Sequence, residues 1–147
     1  MLSINTKTFN ELSTTELYDI LQLRSEVFVV EQDCVYQDLD GKDIKALHVL
    51  GFKNNKVVAY TRVFKPGDYF NEASIGRVVV AQSERKHKYG YVIMEASIEA
   101  VKNNYKTTKI KLSAQCYLKS FYDNLGFKAE GAEYLEDGIP HIAMLKD

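Results

Sequence analysis

The sequence predicts an α/β protein with a mixed central sheet of six to seven strands flanked by helices. Three observations carry that expectation. Apolar spacing alternates between strand-like and helix-like along the chain, in the order β-α-β-β-β-α-β-α-β-β. Two of the strand-like runs flank Asn54-Asn55, a two-residue pair suited to a tight hairpin. Residues 74–101 read as apolar strand, polar basic loop and amphipathic helix. Three strands in hairpin-like succession followed by helical crossovers suggest a mixed sheet with helices on its faces.

Taken in order, residues 2–9 can form a short first strand. Ser13-Thr14-Thr15-Glu16 is a capping box, with Ser13 at the N-cap and Glu16 at the third helical position. Leu17, Ile20, Leu21, Arg24, Val27 and Phe28 then recur at three and four residues, so a helix should run to about Phe28. Residues 29–43 form a long acidic and aromatic connection, of the kind that often carries function. Strands are expected at 46–52 and 56–64, then a loop with the turn signal Pro66-Gly67-Asp68. The β-branched run at 74–80 suits a buried strand.

The helix that follows should lie on the sheet. It places Val92, Ile93, Ala96 and Ala100 on one face, with Met94, Ile98 and Val101 beside them. Residues 109–114 alternate and read as a strand. Residues 118–124 read as a short helix closed by Gly126 at its C′ position. Strands near 127–129 and at 141–145, with a turn at Glu136-Asp137-Gly138, complete the chain.

Length and composition favour one domain, residues 1–147. With 46% apolar residues the chain can bury a core. Its 19 basic and 20 acidic side chains leave a net charge of -1, without the basic excess of a nucleic-acid binder. No apolar run is long enough to cross a bilayer. The start of the chain, MLSINTKTFNEL, lacks a secretory apolar region. Cys34 and Cys116 are far apart, and no Cys or His spacing resembles a metal site. A cytoplasmic protein with reduced thiols and no metal is expected. Oligomeric state is not legible, and a homodimer is left open.

The loop between the strand and the helix is the strongest chemical signal. A helix N-terminus opened by a loop offers unpaired N–H groups and the positive end of the helix dipole. Arg85, Lys86 and Lys88 add charge there, and Gly90 allows close backbone approach. A phosphate or pyrophosphate is the expected guest. A nucleotide module is disfavoured by the absence of a Gly-x-x-x-x-Gly-Lys-Ser/Thr pattern.

Arg85-Lys86-His87-Lys88-Tyr89-Gly90 resembles the pyrophosphate signature Gln/Arg-x-x-Gly-x-Gly/Ala of the GNAT superfamily of acetyl-CoA-dependent N-acetyltransferases. Lys88 stands where the first glycine of that pattern belongs, so either lysine holds a backbone geometry that glycine adopts more freely or the loop differs slightly. The element order is also that of the GNAT fold. Four blocks resemble the ElaA-like branch in particular: residues 23–32, residues 75–80, the loop 85–90, and residues 121–127 with 136–141.

The resemblance implies transfer of an acetyl group from acetyl-CoA to a primary amine by direct attack in a ternary complex. The acceptor would be a small molecule or a peptide. It also implies a sheet splayed between strand 74–80 and strand 109–114. The cofactor would lie against Val78, Val79 and Val80, the loop Arg85, Lys86, His87, Lys88, Tyr89, Gly90 and Tyr91, and Gln115. Tyr122 stands where such proteins often carry a tyrosine that protonates the departing thiolate. A non-catalytic acyl-CoA-binding or sensing module of the same fold is the alternative, since fold alone does not settle function.

An attacking ammonium must lose a proton, and Glu31, Asp40, His48, Glu72 and His141 are candidate bases. Glu31 is preferred, with His48 next. Arg24, Phe28, Glu31, Gln32 and Arg77 are candidate acceptor-side residues. Arg77 lies inside an apolar strand and needs partners, for which Glu26 and Glu31 are available. The carboxylates of the 29–43 connection should favour cationic amines. Cys116 is more readily a small apolar filler than an acyl relay.

Overall fold

The computed structural model describes residues 1–147. The chain runs β1 (Ser3–Thr8), α1 (Thr14–Arg24), β2 (Leu47–Lys53), β3 (Lys56–Phe64), β4 (Ala73–Val80), α2 (Tyr89–Tyr105), β5 (Ile110–Gln115), α3 (Lys119–Asp123), β6 (Lys128–Glu136) and β7 (Ile139–Lys146). All seven strands form one sheet in the order β1-β2-β3-β4-β5-β7-β6. Only β4 and β5 pair in parallel; every other neighbouring pair is antiparallel. No helix is long and apolar enough to cross a membrane.

Local chemistry accounts for most boundaries. Ser13 Oγ accepts the Glu16 N–H at 3.0 Å, and Glu16 Oε1 accepts the Ser13 N–H at 2.8 Å, which starts α1 as its capping box requires. Asn54 and Asn55 both take positive φ, 52° and 63°, the twist a two-residue hairpin needs. Gly126 ends the α3 segment at φ +92°, and the next N–H, of Phe127, bonds back to the Tyr122 carbonyl at 3.1 Å.

The core lies on both faces of the sheet. On one, Ile93, Met94, Ala100 and Val101 of α2 pack on β2, β3, β5 and β7. On the other, Ile20 and Leu23 of α1 and Val27 just beyond it pack on Leu50, Val57, Tyr60 and Val79. The buried face of α2 differs from the expected one: Val92 is 39% exposed, and Ser97 is buried instead. Ser97 is tolerated because its hydroxyl bonds the Ile93 carbonyl at 2.7 Å and Thr61 Oγ1 at 2.5 Å.

Two irregularities shape the middle of the molecule. The winding of α1 does not stop near Phe28. It widens into a π-helical segment, Ser25–Glu31, which redirects Val27, Phe28 and Glu31. Such wide turns are uncommon and concentrate at functional sites. In β4 the register with β3 jumps from Arg62↔Gly76 to Tyr60↔Val79, and Arg77 sits at φ +49°. This is a β-bulge, which bends the strand and increases its twist. Consequently β4 and β5 pair only at Ala73↔Ile110 and Ser74↔Lys111 before they part.

Candidate active site

The parting of β4 from β5 opens a cleft of about 500 Å³. Its walls are the bulged half of β4, the end of β5, the π-helical segment, the start of α2, α3 and the β6–β7 turn.

One end of the cleft is basic. Gln82–His87 wind as a 3-10 helix, Lys88 takes a left-handed conformation (φ 59°, ψ 30°), and Tyr89 opens α2. Lysine therefore holds a left-handed geometry that glycine would take without strain. No side chain caps the N-terminus of α2, and of its first N–H groups that of Tyr91 bonds the Lys88 carbonyl at 3.2 Å. Gly90 has a second reason to lack a side chain: a Cβ there would come within 3.2 Å of the Phe121 ring. Arg85 Nε donates to the Val80 carbonyl at 3.2 Å, and Nη2 donates to Glu31 Oε1 at 2.8 Å.

Tyr122 lies deeper in the same cleft. Its ring packs edge-on against Phe121 and Phe127, at 5.0 and 6.1 Å between centroids. Its hydroxyl makes no hydrogen bond to the protein, and burial pushes that phenol well above its ordinary range. It is thus a protonated hydroxyl with its donor unused. Nearby Cys116 is half-buried, and its thiol is pushed up by burial and then by Glu133, which keeps it a poor nucleophile.

The opposite end is built by cross-strand neighbours. Gln115 on β5 faces His141 on β7, and His141 faces Tyr134 on β6. Directly opposed residues share a face, so this row points into the cleft. Gln115 exchanges hydrogen bonds with Gln32 at 3.1 and 3.3 Å, tying the chain just past the π-helical segment to β5. Cys34 Sγ donates to the Asp137 carbonyl at 3.2 Å, which ties the following loop to the β6–β7 turn.

Beneath the bulge lies a buried ionic network. Arg24 is fully buried and donates to Asp38 and Asp43, both at 2.8 Å. Arg62 donates to Asp40 and Asp43. Arg77 meets Asp38 at 2.7 Å and Asp40 at 3.5 Å. Three guanidinium groups balance three carboxylates, as burial demands. Burial alone would raise the Asp43 carboxyl, but the Arg24 hydrogen bond and the charges of Arg24 and Arg62 hold it below its usual range. By the same opposition Asp40, bonded by Arg62, is brought down to about 2.

These contacts revise several expectations. Arg24 is not at the cleft; it anchors the 38–43 loop from below. His48 is also absent from it. That ring is buried, with Nδ1 2.6 Å from Tyr60 Oη and Nε2 2.9 Å from the Asp43 carbonyl, so neither nitrogen can reach an amine. Lys86, His87 and Tyr89 do not line the cleft: His87 turns toward Glu84, at 3.7 Å, and Tyr89 is buried. Arg77 lines it, but with Asp38 and Asp40 as partners rather than Glu26 or Glu31. The acidic mouth expected of residues 29–43 is largely neutralised, because Asp38, Asp40 and Asp43 are committed to arginines and Glu31 to Arg85. Val78, Val79, Val80, Arg85, Lys88, Gly90, Tyr91, Gln115 and Tyr122 do line the cleft, with Phe28, Glu31 and Gln32.

The structure adds Tyr36, Ser113, Tyr117, Phe121, Glu136 and Asp137 to the lining. For the last two the sequence offered a turn composition and a place in a family-like block, neither of which says what the bend faces. No group of three His, Cys, Asp or Glu side chains is placed to hold a metal ion.

Residues 10–147 match the family model for the acetyltransferase (GNAT) domain. Protein ElaA of Escherichia coli is 43% identical over 140 residues, covering 94% of this chain and 92% of that one. The crystal structure of E. coli ElaA superimposes with a TM-score of 0.93 over the whole of both chains. An acyl-CoA N-acyltransferase from Pseudomonas aeruginosa superimposes with a TM-score of 0.94 at 38% identity, again over both whole chains. An aminoglycoside 6'-N-acetyltransferase crystallised with coenzyme A shares the fold at 15% identity and a TM-score of 0.70, covering 97% of this chain and 96% of that one.

Proposed function

The chain belongs to the GNAT acetyltransferase family, and from that premise we propose that it transfers an acetyl group from acetyl-CoA to a primary amine, with both bound in the cleft at once. One observation carries the reading most directly. The cleft begins where β4 loses β5, and it ends at an uncapped helix N-terminus flanked by Arg85 and Lys88. A ligand with a diphosphate at one end and an extended polar arm at the other matches that shape.

In this reading the α2 N-terminus, Lys88 and Arg85 hold the pyrophosphate. The backbone of residues 78–80, unpaired on its β5 side, bonds the pantetheine arm as an added strand would. The thioester then lies near Tyr122 and the end of β5. The amine nitrogen attacks the thioester carbon, the C–N bond forms, and the C–S bond breaks. Tyr122 gives its proton to the departing sulfur and recovers one from the nitrogen as the amide forms. Its buried, unpartnered hydroxyl suits a donor that must stay protonated until sulfur leaves.

Titration calorimetry with acetyl-CoA, CoA and ATP tests the binding half of the proposal. Acetyl-CoA and CoA should bind at one site and ATP much more weakly. Release of free thiol with an amine panel tests the transfer half. Binding without thiol release from any amine would leave a non-catalytic acyl-CoA-binding module.

A further inference from the structure

Resting on the acetyl-transfer reading, we infer that His141 is the base that deprotonates the acceptor and that Glu136 beside it selects a cationic amine. His141 Nδ1 lies 2.7 Å from the Ile139 carbonyl. A carbonyl only accepts, so Nδ1 carries a proton, and in the neutral ring Nε2 presents the lone pair. The side chain is 8% exposed, and what remains open faces the cleft. No hydrogen bond within the protein satisfies Nε2; the nearest charged atom is Glu136 Oε2, at 3.5 Å. An acceptor that the protein leaves free, on a residue lining a ligand-sized cleft, is available to a donor from the ligand.

That spacing suits an ammonium, which can donate to Nε2 and to Oε2 from a position between them. The ring cannot swing away, because Ile139 holds one edge and Tyr134 stacks on it with centroids 6.1 Å apart. The other candidate bases are committed elsewhere or, in the case of Glu72, do not line the cleft. His48 is sealed off, Asp40 is bonded to Arg62, and both Glu31 oxygens face Arg85. Apart from Tyr117, Tyr122 and the groups at the diphosphate end (Glu31, Arg85, Lys88 and Tyr91), the titratable groups that line the same cleft or touch the ring are Glu136, Asp137, Tyr134, Cys34, Tyr36 and Arg77. Gln115, opposite on β5, does not titrate.

The step balances as follows. The ammonium passes one proton to Nε2, forming an imidazolium that still donates from Nδ1 to Ile139. The freed nitrogen lone pair attacks the thioester carbon. After thiol departure through Tyr122, the imidazolium returns its proton to solvent. The net products are the acetamide, CoA thiol and one proton.

The test uses the wild-type chain, His141→Gln and Glu136→Gln, with ethylenediamine, n-propylamine and β-alanine as acceptor probes. Acetyl-CoA affinity by calorimetry should be unchanged within about twofold in both variants, since neither residue is at the diphosphate end. Wild-type thiol release should favour ethylenediamine and fall on the acid side of its pH profile. His141→Gln should lose about 10²-fold in kcat and lose that acid limb. Glu136→Gln should raise KM for ethylenediamine about fivefold or more and leave kcat alone.

Long-range ¹H–¹⁵N spectra give a readout independent of turnover. The His141 ring should be protonated at Nδ1, and its Nε2 signal should shift on addition of ethylenediamine. A kcat for His141→Gln within about threefold of wild type, an acid limb that survives, or an Nε2 signal blind to the amine overturns the inference. Failure of wild-type protein to bind acetyl-CoA would instead defeat the acetyl-transfer reading, and the spectra would still judge His141.

Discussion

Arg85 and Glu31 face each other across the cleft in a two-pronged ion pair, one residue from the pyrophosphate-type loop and the other from the last turn of the π-helical segment. The pair joins the two walls at the spot where a diphosphate is expected. Glu31 is therefore a competitor for Arg85 rather than a free base. Both side chains are part-exposed, at 42% and 29%, so the pair is worth only about 0–1 kcal/mol.

Glu31→Gln should accordingly tighten acetyl-CoA binding, by up to about fivefold at low salt, because the phosphate no longer displaces a carboxylate. Arg85→Gln should weaken it by about tenfold. Calorimetry at two salt concentrations reads both, and the gain in Glu31→Gln should shrink as salt screens the pair. Unchanged affinity in both variants would place the diphosphate elsewhere.

Lys88 is a lysine in glycine's conformation, at φ 59°. Lys88→Gly should leave stability unchanged within about 0.5 kcal/mol, since relief of the left-handed strain offsets the added freedom of the unfolded chain. Lys88→Val should cost about 1–2 kcal/mol, because a β-branched side chain tolerates that geometry poorly. Urea unfolding distinguishes them; equal stability of the two variants would mean that the loop relaxes freely.

Tyr122→Phe removes a hydroxyl that touches no other protein atom by hydrogen bond while keeping the ring between Phe121 and Phe127. Melting temperature and acetyl-CoA affinity should hold, and kcat with a productive amine should fall about 10²-fold. A loss of stability without a loss of rate would make the residue a packing aromatic only.

The ionic network should show in acid unfolding. Asp40 and Asp43 titrate below their unfolded values, so the stability they contribute is present above the ordinary Asp range and is lost as pH falls below it, toward about 2 for Asp40. His48 is depressed by burial, so its contribution is present above about pH 6.5 and erodes as pH drops below it. Equilibrium unfolding across that range should decline in these two stages. Asp43→Ala, which strips a partner from both Arg24 and Arg62, should cost about 3–5 kcal/mol at neutral pH. A loss below about 1 kcal/mol would show that water replaces the carboxylate easily.

How legible the site was depended on how far apart its parts lie in the chain. The basic loop, the strand before it and the helix after it are contiguous, so their succession over residues 74–101 could be read directly, but the bulge at Arg77 and the buried face of α2 could not. Nor could the Arg77 partners. Glu26 and Glu31 were the partners expected from the sequence, but geometry chose Asp38, 39 positions away, and Asp40. Of the two histidines in strands, the sequence put His48 ahead of His141. Sheet order seals one beneath α1 and opens the other to the cleft.

What this sequence settled unaided is what repeats locally: the succession of strands and helices, the capping box, the asparagine hairpin and a helix whose start invites an anion. Those follow from spacing and from backbone preference, which act over a few residues. Which charges meet, which histidine keeps a free nitrogen and where the cleft opens were decided by the bulge at Arg77 and the early parting of β4 and β5. Burial and pairing are properties of neighbours in space, and one-dimensional order leaves them undetermined until the sheet closes.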